Sequence, residues 1–257
     1  MLLKSLTGLL LLAIAMSSQA GVVINNTRVI YREADGETVV QLRNTGNGPL
    51  LVQSWIDDGD TRAKIESLNM PFTLVPSVAR IDPSKGQAIR ILQTRNDLPT
   101  DRESLLWFNV LEIPPKPPQK LAKGQNLLQF SFRSRIKFFY RPKGLKSSPE
   151  EALKQLRFVI GRAANGAPKV IIHNPSSYHI TFRNVSLRED ADKPILAELH
   201  SPSERMISPS GELTMSMRWT NAAGVSKANA QVFFTAVNDQ GGESRLQRGL
   251  ADDEEKN

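Results

Sequence analysis

The chain of 257 residues has no cysteine, three histidines and 6% aromatic residues. Without cysteine there is no disulfide, no thiol nucleophile and no thiolate metal site, so an exported fold must rest on packing alone. Beyond the first twenty residues no apolar run approaches the roughly 20 residues that a membrane-spanning helix needs. Scarce histidine also narrows acid–base chemistry. His173 and His179 flank the turn Asn174-Pro175-Ser176-Ser177, which offers Ser176 or Ser177 with His179 as a hydrolase pair. The order and spacing match no G-x-S-x-G elbow, and structural histidines are the simpler reading. No H-E-x-x-H pair, phosphate-cradling glycine loop or dinucleotide fingerprint occurs. The chain is therefore expected to be no enzyme, with no cofactor and no metal.

Residues 1–20 read as a secretory signal peptide. Lys4 supplies the positive charge, Leu6 to Met16 the apolar run, and Ser18-Gln19-Ala20 a small-x-small cleavage site. The run is too short for a membrane anchor. Export to the periplasm follows, with Gly21 as the new first residue and no stable membrane insertion. The net charge of +7 becomes +6 once Lys4 is removed. In an exported protein this favours acidic or carboxylate-bearing partners over nucleic acid, alongside the plainer reading of a solvated basic surface.

Short β-type runs recur throughout. Thr38–Leu42, Leu50–Ile56, Phe72–Val75, Gln87–Leu92, Leu105–Ile113 and Leu127–Tyr140 come first, separated by turn chemistry such as Asp35-Gly36 and Pro83 to Gly86. A helical segment, Pro149 to Gln155, follows; proline suits a helix start and Glu150 and Glu151 its dipole. Further strands are predicted near Phe158 and at Lys169–His173, His179–Phe182, Pro194–Leu199, Glu212–Met217 and Gln231–Val237. The fold class is all-β, two β-sandwich domains joined near residues 141–147. Pro114-Pro115-Lys116-Pro117-Pro118 opens an extended loop that cannot pair regularly in a sheet. Leu128, Phe130 and Phe132 alternate with Gln129 and Ser131, which is strand spacing with one strongly apolar face. Such a face can complete its own core or be lent to another protein.

Two segments, Asp101-Arg102-Glu103-Ser104-Leu105-Leu106-Trp107-Phe108-Asn109 and Arg135-Ile136-Lys137-Phe138-Phe139-Tyr140-Arg141-Pro142, carry a family resemblance. Thr27-Arg28-Val29-Ile30-Tyr31, Gln53-Ser54-Trp55-Ile56, Asn174-Pro175-Ser176-Ser177-Tyr178 and Asn238-Asp239-Gln240-Gly241-Gly242 support it. With these in order behind a signal peptide, the chain resembles the PapD-like periplasmic chaperones of the chaperone–usher pathway.

The resemblance implies two immunoglobulin-like domains in a boomerang arrangement: 21–142, containing a donor strand at 127–140, and 143–248; composition alone makes 249–257 a polar, disordered tail. It implies that the protein binds, folds and caps pilus (fimbrial) subunits and delivers them to an outer-membrane usher. Leu128, Phe130 and Phe132 would be the side chains donated to the subunit, by strand addition of the kind known for chaperone–pilin pairs. Arg28 and Lys137 match the cations that grip the subunit's C-terminal carboxylate and set the pairing register. Glu103, Arg141 and Asp239 match an interdomain salt-bridge trio. Pro114 and Pro115 match loop positions linked to usher binding, and the 13-residue loop Pro114 to Asn126 resembles the short-loop subfamily. Lys137 lies an odd number of residues from Phe132, so a bulge or strong twist would be needed to bring both to one face. Self-association of the free protein through the apolar run is also expected. The rival expectation is an exported adhesin or pilin-like component that assembles into a surface fibre.

Overall fold

The structure, a computed structural model, describes residues 21–115, 128–163, 165–200, 205–220 and 230–251. Its strands are, in order, β1 (Val22–Ile24), β2 (Arg28–Arg32), β3 (Glu37–Asn44), β4 (Leu50–Asp57), β5 (Phe72–Val75), β6 (Val78–Ile81), β7 (Gly86–Gln93), β8 (Ser104–Ile113) and β9 (Phe132–Arg141). After helix α1 (Pro149–Gln155) come β10 (Arg157–Arg162), β11 (Pro168–His173), β12 (Ile180–Arg188), β13 (Ala197–His200), β14 (Met206–Ile207), β15 (Glu212–Trp219), β16 (Gln231–Val237) and β17 (Glu243–Gly249).

The strands form two sandwich-like domains. One has sheets ordered β1-β3-β7-β5 and β2-β9-β8-β4-β6; the other is built on β10-β11-β15-β13-β12-β16-β17, with β14 beside β12. Grouped by contacts, the chain divides into two compact units. The first takes in the described residues of Met1–Thr27, Glu37–Asn96 and Trp107–Lys137, and the second those of Arg28–Gly36, Asp97–Leu106 and Phe138–Asn257. Strands β8 and β9 each contribute to both.

In the first unit β3 and β7 alternate as half-buried antiparallel strands should, with Val40, Leu42, Ile89 and Ile91 turned inward. Val52, Ile56, Phe108 and Val110 do the same from β4 and β8, which pair antiparallel from Leu51↔Ile113 to Asp57↔Trp107. In the second unit Phe158, Phe182 and Phe234 pack ring to ring at 5.3 and 5.8 Å within an aliphatic core. Helix α1 closes that core with Ala152 and Leu153. Its start is fixed by a capping box: Ser148 Oγ accepts from Glu151 N at 3.1 Å, and Ser148 N donates to Glu151 Oε2 at 2.9 Å.

Two expectations need correction. The donor strand predicted over 127–140 runs from Phe132 to Arg141; Leu128 to Ser131 carry no regular strand, and Leu127 lies outside the described residues. Alternating apolar residues favour a strand, but a ladder also needs a neighbour to bond with. The tail assigned to 249–257 begins too early. Gly249 ends β17, paired with Gln231, and Ala251 N donates to Phe158 O at 2.9 Å. Residues 252–257 lie outside the described residues. Strands β1, β2, β6, β14 and β17 were not anticipated: the first four are short, and β17, ESRLQRG, is mostly polar.

Candidate functional site

Leu128, Phe130 and Phe132 are 78%, 61% and 64% exposed, which excludes their serving the core of their own domain. Burying large apolar side chains is the main driving force of folding, so three side by side in water mark a contact surface. The Phe130 and Phe132 rings lie 6.4 Å apart. Gln129, between them, donates through Nε2 to the Pro114 and Pro115 carbonyls, both at 3.2 Å, and so ties the run to the start of the proline loop. Lys116, Pro117, Pro118, Lys120 and Lys123 lie outside the described residues.

Directly after this run the strand is fixed by charge. Arg133 Nη2 and Arg135 Nη2 reach opposite oxygens of Asp57, at 2.8 and 2.6 Å, and the Asp57 side chain is 1% exposed. Asn109 donates through Nδ2 to Asp57 at 2.9 Å and accepts Arg133 Nε–H at its Oδ1 at 3.0 Å; Gly59 N donates to Asp57 Oδ1 at 3.0 Å. Each guanidinium also lies over an indole, Arg133 over Trp55 at 4.8 Å and Arg135 over Trp107 at 4.3 Å. Two cations two residues apart share a strand face, which is why one carboxylate can serve both. Lys137, next on that face by alternation, is half-buried.

The far end of β9 is fixed by a second cluster, wholly within the second unit. Arg141 gives Nε to Glu103 Oε1 at 2.8 Å and a two-pronged grip to Asp239 at 2.5 and 2.6 Å. Glu103, 1% exposed at its side chain, also accepts from His179 N at 2.8 Å and faces His179 Nδ1 at 3.0 Å. Burial works to lower the Arg141 pKa, but the bonds to Asp239 and the charges of Glu103 and Asp239 outweigh it, so the group stays charged above its ordinary range. Tyr178 lies 5.2 Å beneath the guanidinium and donates to Ser147 O at 2.5 Å; burial pushes its hydroxyl pKa up.

Arg28 stands beside this cluster in the same unit. Its Nη1 donates to Val237 O at 3.3 Å and its guanidinium lies 5.8 Å from the Phe139 ring centre. Its Nε is buried, with no hydrogen-bond partner among the described residues. Burial lowers its pKa; Asp239 and Glu103 counter this, while Arg141 and Arg183 add to it. A buried guanidinium with a spare donor is suited to receiving an anion. Thus Glu103, Arg141 and Asp239 are bonded together, Arg28 adjoins them, and Lys137 belongs to the first unit.

The hydrolase pairing finds no support. Ser176 Oγ donates to Asn174 Oδ1 at 2.6 Å, and the His179 ring is occupied by Glu103. Among the described residues no group of acidic or histidine side chains could hold a metal ion, and no helix is long and apolar enough to cross a membrane.

Residues 21–146 match the family model described as "Pili and flagellar-assembly chaperone, PapD N-terminal domain", and residues 151–248 the "Pili assembly chaperone PapD, C-terminal domain". The probable fimbrial chaperone YadV of Escherichia coli K12 is 43% identical over 234 residues, 90% of each chain. This chain belongs to the PapD-like pilus-assembly chaperones. The crystal structure of YadV chaperone matches with a TM-score of 0.67 and 38% identity, covering 89% of this chain and 100% of that one. The SafB chaperone, solved in complex with Salmonella enterica SafA pilin, matches with a TM-score of 0.66 and 26% identity over 90% of this chain and 96% of that one. As a PapD-like chaperone the chain is no enzyme.

Against this family background, the sequence reading missed the roles of Asp57 and Arg133 and the seat of His179 on Glu103. The R-S-R spacing at 133–135 was a usable signal, since alternate arginines on a strand call for an acceptor on a neighbouring one.

Proposed function

We propose that this protein is a periplasmic chaperone that captures pilus subunits by lending them the run 128–132, and that it passes them to an outer-membrane usher. The observation that carries this reading is the exposure of Leu128, Phe130 and Phe132 at the start of a strand held by ion pairs to buried Asp57. A flexible apolar strand would collapse or aggregate; one held at its base can be presented. Full burial of each side chain in a subunit groove would contribute about 1.5–3 kcal/mol, and each main-chain bond about 0.5–1.5 kcal/mol net.

Arg28 and Lys137 anchor the C-terminal carboxylate of the subunit, in this reading, because a chain terminus is the one carboxylate found at the same place in every subunit. That anchor sets register, and a one-residue slip would turn every donated side chain to the wrong face. The Glu103–Arg141–Asp239 trio ties the end of β9 to distant segments of the second unit, and Pro114 and Pro115 belong to the surface that the usher reads. Export proceeds through cleavage after Ala20. The free protein self-associates through the same apolar run at high concentration.

Co-purification from periplasm of cells carrying the whole gene cluster tests the proposal. Wild type is expected to bring down small β-rich subunits. Lys137→Ala and Phe130→Ser are expected to fold normally and bring down none. Capture undiminished in Phe130→Ser would overturn the donor run; capture undiminished in Lys137→Ala would overturn the anchor.

A further inference from the structure

Strand β8 buries Phe108, Val110 and Glu112 at alternate positions, and Asn109 between the first two as well. The first two are core residues; the third is a carboxylate, 8% exposed, opposite fully buried Val52 on β4. An ionised carboxylate at an inward position is costly unless a cation or several donors meet it. Among the described residues no side chain forms a hydrogen bond or ion pair with it.

What faces the carboxylate is the backbone of Gly21. A Cβ built on Gly21 would find Glu112 as its nearest neighbour, colliding with Oε2, with the carboxyl carbon at 2.9 Å and Oε1 at 3.3 Å. Gly21 is also held in place. Its carbonyl accepts from Thr45 N and Thr45 Oγ1, both at 3.0 Å, and the next residue, Val22, pairs with Asn44. The same glycine is the residue at which the sequence predicts leader cleavage.

We infer that Glu112 is a binding site for a primary ammonium group, and that its ligand is the α-ammonium created at Gly21 when the leader is removed. In cleavage, water adds across the Ala20–Gly21 amide. The acyl carbon takes the oxygen and leaves with the leader as a carboxylate; the nitrogen takes the protons and becomes an ammonium. One neutral N–H donor thereby becomes a cation with three donors, beside a buried carboxylate that otherwise has no counter-ion among the described residues. Glycine is the residue that leaves room for the pair, because a side chain at this position would take the carboxylate's place. Processing thus completes the ionic structure of the first unit, and the precursor lacks it. The inference rests on the export reading above and is independent of subunit capture.

The test compares three forms of the protein: the exported chain, the same chain with one serine added before Gly21, and Glu112→Gln. N-terminal sequencing of the exported chain comes first; a start other than Gly21 would overturn both this inference and the cleavage site. Amine-selective acylation at pH 7 is then timed at the α-amine, natively and in urea. An ordinary α-amine titrates at about 7.7–8.0, and pairing that raises this by one unit slows labelling about tenfold. That slowing is expected in the native exported chain, and it should disappear in urea and in Glu112→Gln. The serine-extended form, which needs no core substitution, should unfold at lower denaturant than the exported chain. A correct Gly21 start with equal labelling rates in native wild type and urea would overturn the ion pair alone.

Discussion

Strand β9 meets a buried carboxylate in each unit, and the two meetings differ in charge balance. Asp57 in the first unit serves two arginines, Arg133 and Arg135, so the cluster carries one excess positive charge. In the second unit Arg141 serves two carboxylates, Glu103 and Asp239, and Arg32 lies 3.5 Å from Asp239, so the charges balance, with His179 and Arg28 close by. In the first cluster the carboxylate is the shared group and has no substitute. In the second the arginine is shared, and either acid can fail while the other still holds it. The first therefore behaves as a single pin and the second as a clasp with two teeth.

This contrast predicts a ranking. Asp57→Ala leaves two partly buried guanidinium groups facing each other and should cost about 3–5 kcal/mol. Chemical denaturation measures it, and a loss under about 1 kcal/mol would mean that solvent replaces the carboxylate easily. Asp239→Asn should cost less, about 1.5–3 kcal/mol, since one charge-assisted interaction is lost while Glu103 keeps its hold on Arg141. Equal losses for the two variants would erase the distinction between pin and clasp.

The smallest effect concerns pH. The Tyr178 hydroxyl is raised above its ordinary value of about 10 by burial, so the folded state keeps its proton at pH values where the unfolded chain has lost it. Its contribution to stability is whole below pH 10 and falls as pH rises through the folded-state value. Stability of wild type should drop in that alkaline window more than stability of Tyr178→Phe. Denaturation at pH 9 and pH 11 checks this, and parallel losses would show that Tyr178 titrates normally.

Local signals in the sequence located many elements well. Phe72–Val75, Gln231–Val237 and the helix Pro149–Gln155 fall where alternation and capping chemistry placed them. Strand β17 escaped because ESRLQRG has no apolar face to read; its place depends on bonding to β16. The spacing of Leu128, Phe130 and Phe132 was plain, yet spacing cannot say whether an apolar face is buried at home or left in water. Nor could it join Glu103, Arg141 and Asp239, up to 136 positions apart between Glu103 and Asp239, except through family resemblance.

By itself the sequence determined the all-β class, the lack of any disulfide and the family, because alternation, turn residues, cysteine count and motif order are local or additive properties. Tertiary structure alone decided that β9 begins at Phe132, that Asp57 holds two arginines and that Glu112 faces Gly21. These depend on which residues distant along the chain meet across sheets, and on how much water remains around them, and a string of residue types encodes neither directly.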